Sequence, residues 1–365
     1  MKTAFKFSKA TVLVTGGSGF IGSNFIHHVL GRKSFSGRII NLDKLTYAGN
    51  PENLSGVEKF GSRYVFVKGD ICDAACVKGI FAKYKIDCVV NFAAESHVDR
   101  SIHGPAEFIN TNINGTFCLL EAAREFWKDN PATRFHHVST DEVYGSLGPK
   151  GKFKETTPYD PRSPYSSSKA SSDHLVSAYA HTYGLQTTIS NCSNNYGPRQ
   201  FPEKLLPLMI LNAQDGKNLP VYGDGLNVRD WLYVDDHCDA IRLILEKGVP
   251  GQTYNVGGGC EKKNIALVRE LCAALEKLAP SAKNAALGGR KYLDLIIHVP
   301  DRPGHDRRYA IDFSKIKREL GWQPSHNFKE GLLATVEWYL SNTGWIANIK
   351  SGSYRKWLEK NYSNR

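Results

Sequence analysis

The chain opens its fold with an apolar run that leads into three evenly spaced glycines. Residues 12–14 are apolar and mostly β-branched, which is the pattern of a buried strand. Gly16, Gly19 and Gly22 follow, and apolar residues then recur at helical spacing as far as Leu30. A strand, a glycine turn and a helix bring free backbone N–H groups and the positive end of the helix to one point, which suits a pyrophosphate. Because glycines let the backbone approach such a ligand closely, the segment predicts the first unit of a dinucleotide-binding sheet.

A second predicted strand ends in a carboxylate. It covers Arg38–Asp43, and Asp43 lies about 20 residues beyond the last glycine, where an acid binds the ribose 2′-OH of NAD. An acid there would repel a 2′-phosphate, so the sequence favours NAD over NADP, although Lys44 beside it adds the opposite charge. The alternative interpretation of Asp43 is a turn residue at the end of a strand.

Strands and helices keep alternating after Asp43. Predicted strands cover 64–67, 88–92, 134–138 and 186–190, and predicted helices cover 113–127 and, after Pro164, 165–183. Such alternation predicts an α/β fold, a Rossmann-type doubly wound parallel sheet with helices on both faces. Ligands bind at the carboxyl ends of such strands, so we expect Asp43, Asp70, Ala93 and Thr140 to meet in one crevice.

The second half of the chain has a different pattern. Predicted strands cover 219–224, 228–234 and 253–256, and predicted helices cover 205–211, about 264–278 and about 313–320. Residues 194–198 are turn-rich, and residues 301–308 form a dense polar loop. We expect residues 1–190 to form mainly an NAD-binding Rossmann domain. Residues 191–365 should form mainly a smaller, mixed α/β substrate domain, with elements of the two interleaved.

Composition limits the classes of function. The chain has 365 residues, of which 41% are hydrophobic, yet no apolar run approaches the roughly 20 residues of a membrane helix. Its start lacks the continuous apolar core of a signal peptide, so we expect a soluble, cytoplasmic protein with no membrane partner. The net charge of +11 fits a surface that favours anionic small ligands. No aromatic-basic interleaving predicts a specific nucleic-acid partner, although non-specific RNA binding stays open.

The eight cysteines are scattered along the chain. Only Cys72 and Cys76 are close together, and no nearby Cys or His completes a zinc pattern, so we expect no metal. Most of the cysteines fit small core residues in a reducing compartment.

Two pairs of residues suggest acid–base chemistry. Tyr165 and Lys169 are four residues apart on one face of a predicted helix, and a cation beside a phenol lowers its pKa. Tyr165 is therefore a candidate base for a sugar or alcohol hydroxyl; the alternative is a solvated helix face. Upstream, Asp141 and Glu142 follow Thr140 at the end of a predicted strand. Two adjacent carboxyl groups in unlike environments can divide into an acid and a base.

Several segments together resemble the extended short-chain dehydrogenase/reductase family, and within it the nucleotide-sugar 4,6-dehydratases. They are the glycine-rich loop and residues 94–101, 139–145, 165–169, 191–198, 229–236 and 301–306. The resemblance runs from about residue 10 to about residue 340. It implies an NAD-dependent hydro-lyase that regenerates its cofactor in each cycle, and a homodimer built through a four-helix bundle.

The resemblance also implies a reaction, the conversion of dTDP-glucose to dTDP-4-keto-6-deoxyglucose. Tyr165, assisted by Lys169, removes the proton of the 4-OH, to which Thr140 hydrogen-bonds, while hydride passes from C4 to NAD. Glu142 then removes the C5 proton and Asp141 donates a proton to the departing 6-OH. Hydride returns to C6, and C5 is reprotonated.

The implied binding residues fall into two groups. Those for NAD are Gly16, Gly19, Phe20, Ile21, Gly22, Asp43, Lys44, Asp70, Ile71, Ala93, Ala94, Tyr165, Lys169 and Asn195. Those for the nucleotide sugar are Ser96, Thr140, Asn194, Lys204, Leu205, Arg229, Asn264, Asp301, Arg302 and His305. The alternative for Arg229 is a surface ion pair with Asp230, and for His305 a role in ordering its loop. Arg199 departs from the pattern of the family.

Other functions stay open at this point. Related epimerases carry small or apolar residues at the positions of Asp141 and Glu142. Related GDP-mannose dehydratases and decarboxylases usually have serine before the glutamate. The alternatives are therefore a UDP-glucose 4,6-dehydratase, another nucleotide-sugar epimerase or decarboxylase, and a non-catalytic NAD-binding regulator.

Overall fold

A computed structural model describes residues 5–128, 130–301 and 304–350. Its largest element is a sheet of seven parallel strands in the order β10-β6-β5-β4-β1-β2-β3. These strands are β1 Thr11–Thr15, β2 Arg38–Asp43, β3 Tyr64–Lys68, β4 Cys88–Asn91, β5 Arg134–Thr140, β6 Thr187–Cys192 and β10 Gln252–Val256. The Rossmann-type doubly wound sheet predicted from the sequence is confirmed.

Helices cover both faces of this sheet, and β1 shows how the sequence divides them. Val12 and Val14 belong to the core beneath the helices Phe20–Leu30 and Val234–Lys247. Leu13 belongs to the core on the other face, beneath the helices Ala74–Tyr84, Gly115–Trp127 and Pro164–Tyr183. Successive side chains of a strand point to opposite faces, so a strand buried on both sides is apolar throughout. The helices are α1 Phe20–Leu30, α2 Ala74–Tyr84, α3 Val98–His103, α4 Pro105–Phe108, α5 Gly115–Trp127, α6 Pro164–Tyr183, α7 Leu205–Gln214, α8 Val234–Lys247, α9 Asn264–Leu278, α10 Ser314–Leu320, α11 Phe328–Ser341 and α12 Thr343–Lys350.

Two small sheets lie in the second half of the chain. The first has the order β11-β9-β7, and the second pairs β12 with β8. Their strands are β7 Asn194–Tyr196, β8 Leu219–Tyr222, β9 Val228–Tyr233, β11 Glu261–Lys263 and β12 Ile296–Val299. A separate core joins them to α7, α9, α11 and α12. Because β10 and α8 return to the main sheet, a division of the chain at residue 190 stays a prediction.

Some predicted elements differ from the observed ones. The predicted strand 228–234 ends at Tyr233, because Val234 begins α8. This helix was not predicted, since its first turn is polar. The turn predicted at 194–198 contains β7. The helix predicted from residue 113 begins as an α-helix at Gly115, after a π-helical segment over Ile109–Asn114. Such segments occur often at functional sites, and here Asn112 bonds to the backbone of Glu95.

Two kinds of feature are absent from the described residues. No helix in this part of the chain is both long and apolar enough to cross a membrane. No group of three or more His, Cys, Asp and Glu side chains in the same residues could hold a metal ion.

Candidate active site

A cleft of about 340 Å³ opens at the carboxyl ends of the parallel strands. Every residue predicted to bind NAD lines it, from the glycine-rich loop to Asn195 at β7. Of the predicted catalytic residues, Thr140, Glu142, Tyr165 and Lys169 line the same cleft. The strand ends therefore converge on one crevice, as expected from the sequence, while the role of each residue stays a prediction.

The glycine-rich loop has no room for side chains. Gly16 has a φ of +66°, and a Cβ there would lie 2.7 Å from the backbone nitrogen of Ala93. A Cβ on Gly22 would lie 2.4 Å from the carbonyl oxygen of Gly16. Real Cβ contacts are longer than this, so the loop packs against the end of β4 only with glycine at these positions. The bare backbone of the loop borders the cleft, as a dinucleotide site requires.

Asp43 connects the end of β2 to this loop. Its Oδ2 accepts a hydrogen bond from the backbone N–H of Ser18 at 2.9 Å, and its Oδ1 accepts one from Leu45 at 2.8 Å. Burial raises the pKa of Asp43, and the two backbone hydrogen bonds oppose that rise. Lys44 does not neutralise Asp43 directly, because its Nζ lies 2.8 Å from Asp70 Oδ2. Asp43 is thus a fixed acid at the edge of the cleft.

The two adjacent carboxyl groups occupy unlike environments. β5 ends at Thr140, and a 3₁₀ turn over Asp141–Tyr144 follows, with Thr140 Oγ1 accepting from the backbone N–H of Glu142 at 3.3 Å. Glu142 lines the cleft, whereas Asp141 is only 2% exposed and does not. Asp141 Oδ2 has no hydrogen-bond partner within the described part of the chain.

The electrostatics of Asp141 favour a protonated acid. Burial raises its pKa well above the usual value, the charges of Glu142 and Asp230 add to the rise, and the Arg229 guanidinium opposes it. A buried carboxyl group next to a second carboxylate is the arrangement that separates an acid from a base.

The net shift of the Tyr165 pKa is upward, opposite to the direction expected from a neighbouring cation alone. Tyr165 is 8% exposed, and its pKa lies well above the usual value because of burial and of the charge of Glu142, while a hydrogen bond with Thr140 opposes the rise. The Lys169 ammonium donates to the carbonyl of Val138 at 2.8 Å. Burial lowers the pKa of Lys169 to about 8, so the pair shares a site as phenol and ammonium.

Four predicted substrate residues line the same cleft, namely Ser96, Thr140, Asn194 and Lys204. Lys204 Nζ donates to the backbone carbonyl of Ser96 at 2.8 Å, which places a cation at the cleft wall. Asn194 Oδ1 is buried and has no hydrogen-bond partner among the described residues. The Lys204 cation suits an anionic group of a ligand, and the unsatisfied Asn194 oxygen suits a hydrogen-bond donor. Together they fit a ligand that carries both kinds of group.

The other predicted substrate residues lie outside the lining of this cleft; they are Leu205, Arg229, Asn264, Asp301 and His305. Arg302 lies outside the described residues. Arg229 is 6% exposed and stacks over the Tyr309 ring at 4.2 Å, so it is not a surface residue as the ion-pair alternative required. His305 Nδ1 lies 2.6 Å from Asp301 Oδ1, which fits a role in ordering the loop.

Sequence reasoning missed a polar cluster on the cleft wall. Glu203 is 5% exposed and accepts hydrogen bonds from Tyr47 Oη and Arg100 Nε, each at 3.2 Å. The Arg100 guanidinium lies 3.6 Å from the centre of the Tyr47 ring. The one signal was the position of Glu203 next to Lys204.

Arg199, the departure from the family pattern, has a structural role. Its φ is +69°, its guanidinium donates to Asn24 Oδ1 on α1 at 3.0 Å, and it stacks on Trp338 of α11. Arg199 thereby ties the helix that follows the glycine-rich loop to the segment before α7.

Comparisons with known proteins agree with this geometry. The family model described as GDP-mannose 4,6 dehydratase matches residues 13–335. A dTDP-glucose 4,6-dehydratase of Shigella flexneri is 54% identical over 368 residues, which are 97% of this chain and 99% of that protein. Crystal structures of dTDP-glucose 4,6-dehydratases from Bacillus anthracis and Streptomyces venezuelae, both with NAD, are each 45% identical. Each comparison covers 93% of this chain and 100% of the other, with TM-scores of 0.82 and 0.83.

A relative this similar over almost the whole of both chains decides the family. With the glycine-rich loop, the Thr140–Asp141–Glu142 turn and the Tyr165/Lys169 helix in one cleft, the chain belongs to the dTDP-glucose 4,6-dehydratase family of extended short-chain dehydrogenases/reductases.

Proposed function

We propose that the protein is an NAD-dependent hydro-lyase that converts dTDP-glucose to dTDP-4-keto-6-deoxyglucose. One observation carries the proposal. The cleft that a dinucleotide would enter also holds Thr140, Glu142 and Tyr165, with the carboxyl group of Asp141 buried behind them. An epimerase has no need of this acid–base pair, because it removes no water.

The residues present fit NAD. The loop at Gly16 and Gly22 offers bare backbone to a pyrophosphate, and Asp43 offers a carboxylate to a ribose hydroxyl. The chemistry that bound NAD supplies is acceptance of a hydride from C4 of the sugar and its return to C6. The relatives from Bacillus anthracis and Streptomyces venezuelae were crystallised with NAD, which supports the same cofactor here.

The chain's own residues handle the protons of the first step. Tyr165 in its phenolate form takes the proton of the sugar 4-OH and becomes the phenol, and the hydroxyl of Thr140 hydrogen-bonds the sugar oxygen. The Lys169 ammonium stabilises the phenolate before this transfer, because opposite charges favour each other in a buried site. Burial and the charge of Glu142 raise the pKa of Tyr165, so a positive charge nearby is needed to favour the phenolate.

The second step divides between the two carboxyl groups. A ketone at C4 acidifies the C5 proton, and Glu142, on the cleft wall, removes it. Asp141, whose burial favours the protonated form, donates to the departing 6-OH so that water leaves. Each such proton transfer typically contributes about 10²–10⁴ in rate.

Product analysis tests the proposal. The purified protein is incubated with dTDP-glucose and with UDP-glucose in separate reactions, and the masses of the products are measured by mass spectrometry. We expect loss of one water from dTDP-glucose and a much slower reaction of UDP-glucose. An unchanged mass with an altered sugar would indicate an epimerase. Loss of carbon dioxide in a third incubation, with UDP-glucuronic acid, would indicate a decarboxylase, and no reaction in any incubation would favour a non-catalytic protein.

NAD should accompany the protein through purification. A reaction that returns its hydride in each cycle has no need to release the cofactor, and the glycine-rich loop and Asp43 suit NAD. The protein is denatured, and the supernatant is assayed for nicotinamide nucleotides. NADP as the main nucleotide, or full activity without any bound nicotinamide, would contradict the prediction.

Trp345→Phe should weaken NAD retention. The Trp345 indole donates to Asn53 Oδ1 at 2.7 Å, and Asn53 Nδ2 donates to the carbonyl of Ser18 in the glycine-rich loop at 2.9 Å. Loss of this hydrogen bond should lower the free energy of unfolding by about 1 kcal/mol and speed NAD release.

The matched control is Trp127→Phe. The Trp127 indole is also buried and donates to the carbonyl of Ile86 at 2.6 Å, on α5 and outside the cleft lining. The control should lose similar stability and keep the NAD release rate of the parent. Equal release rates in both variants would show that Trp345 does not support the loop.

We further propose a cytoplasmic homodimer formed through α5 and α6. These helices pack side by side, and Tyr179 donates across them to Glu121 at 2.6 Å. Their outer side carries Phe117 and Tyr183, which are 44% and 49% exposed. Two such helices from each subunit would form the four-helix bundle that the resemblance implies. Sedimentation at twice the chain mass of 40.6 kDa supports the proposal, and sedimentation at the chain mass contradicts it.

A further inference from the structure

A buried polar network lies behind the Tyr165/Lys169 pair. Lys169 Nζ lies 3.3 Å from His137 Nε2 of β5, and the same His137 nitrogen lies 3.5 Å from Asp173 Oδ1, one turn further along α6. Lys169, His137 and Asp173 are each at most 3% exposed. The network is therefore shielded from bulk water. A single charge has a large effect in such an environment, because the dielectric constant there is low.

Two hydroxyl donors stabilise the carboxylate form of Asp173. Its Oδ2 accepts hydrogen bonds from Ser139 Oγ at 2.8 Å and from Tyr159 Oη at 3.0 Å. Its Oδ1 is buried and has no hydrogen-bond partner among the described residues, which leaves that oxygen to interact by charge. Burial raises the pKa of Asp173 to about 6, and the Lys169 charge and the two hydroxyl donors oppose that rise.

Among the described groups that favour the protonated form of Lys169, Asp173 contributes most and Cys192 of β6 follows. Cys192 is a thiol whose pKa burial raises to about 12, and burial also raises the pKa of the Tyr165 phenol. Burial lowers the pKa of His137 well below its usual value, so the ring is neutral. The charge of Asp173 therefore opposes the loss of the Lys169 proton that burial favours.

We propose that Asp173 is a positioning residue for the reaction, whose carboxylate keeps Lys169 in the ammonium form behind Tyr165 while neutral His137 separates the two charges. The inference rests on the proposed function, because an ammonium at Lys169 matters only if Tyr165 becomes a phenolate. A buried lysine without a counter-charge loses its proton readily. Asp173 touches neither the cofactor region nor the cleft, so it acts through Lys169.

Asp173→Asn tests the proposal through a pH profile. The amide keeps the shape and can still accept hydrogen bonds from Ser139 and Tyr159, but it carries no charge. With dTDP-glucose, single-turnover reduction of bound NAD is followed from pH 6 to pH 10. We expect the alkaline limb of the profile, the range in which the rate of NAD reduction falls as pH rises, to move to lower pH by one unit or more. At pH 6.5 the rate should stay within about threefold of the parent rate. An unmoved limb, or an equal loss of rate at every pH, would overturn the proposal.

The matched control is Asp236→Asn on α8. Asp236 is 3% exposed and accepts hydrogen bonds from Ser325 Oγ at 2.6 Å and from the backbone N–H of His326 at 3.1 Å. Loss of its charge should lower the unfolding temperature and leave the alkaline limb where the parent has it. A similar shift in the control would mean that loss of stability alone moves the limb.

A second measurement needs no variant of Asp173 and no turnover. In the holoenzyme with ¹³Cε-labelled lysine, the Lys169 signal is identified by its absence from Lys169→Arg. We expect this signal to respond to two titrations, one near pH 6 as Asp173 ionises and one near pH 8 as Lys169 loses its proton. A signal without any response near pH 6 would overturn the coupling. Failure of the proposed function would instead appear as a parent protein that forms no product.

Discussion

Replacement of Tyr165 by phenylalanine should lower kcat by about 10²–10⁴-fold and leave the fold and the NAD content intact. The ring stays in place against Phe108, whose centre lies 6.3 Å away, so only the hydroxyl that accepts the substrate proton is lost. The measurement is kcat with dTDP-glucose, together with the melting temperature and the bound nicotinamide.

Tyr179→Phe is the control for Tyr165→Phe. Tyr179 lies on the same helix and is 7% exposed, and its hydroxyl donates to Glu121 outside the cleft lining. It should cost about 1 kcal/mol of stability and leave kcat within a few fold of the parent. Near-normal turnover in Tyr165→Phe would remove Tyr165 from the mechanism.

Glu142→Gln and Asp141→Asn should separate oxidation from dehydration. Oxidation at C4 uses Tyr165, Thr140 and Lys169, which both variants retain. Water loss needs a base at C5 and an acid at the 6-OH, which an amide cannot supply. Both variants should therefore reduce bound NAD on mixing with dTDP-glucose and release the 4-keto-6-deoxy product about 10²–10⁴-fold more slowly.

A single-turnover experiment that follows nicotinamide absorbance and product mass together makes this separation visible. Glu142→Gln should also slow exchange of the C5 hydrogen with deuterated solvent. The control is Glu155→Gln, because Glu155 accepts a hydrogen bond from the backbone N–H of Asn255 and lies outside the cleft lining. Dehydration at the parent rate in both test variants would mean that these carboxyl groups are not the acid and the base.

The sequence was informative where local patterns decide structure. The helix carrying Tyr165 runs over Pro164–Tyr183, one residue longer than predicted, because Pro164 occupies its first turn instead of preceding it. Ser163 caps this helix, and Gly184 ends it in the left-handed conformation. The second predicted strand matches Arg38–Asp43 residue for residue. The clustering of the cofactor residues followed from one rule, that parallel strands place their carboxyl ends at one edge.

What the sequence missed depends on contacts between distant segments. The orientation of the Lys169 ammonium follows from Val138 and His137 on β5, which no helical spacing on α6 reveals. The high pKa of Tyr165 follows from burial, which spacing does not measure. Glu203 and Arg100 are 103 positions apart in the sequence, so no local pattern predicts the hydrogen bond between them.

The buried carboxyl group of Asp141 sets a limit on the stability of the whole fold. Its pKa is raised in the folded chain, so the stability linked to its bound proton is fully present below the unfolded pKa and is lost as pH rises through the folded pKa. Asparagine at this position would remove that pH dependence, and under the proposed mechanism it would also remove the proton donor for water loss. Stability at higher pH and dehydration would then compete for the same side chain.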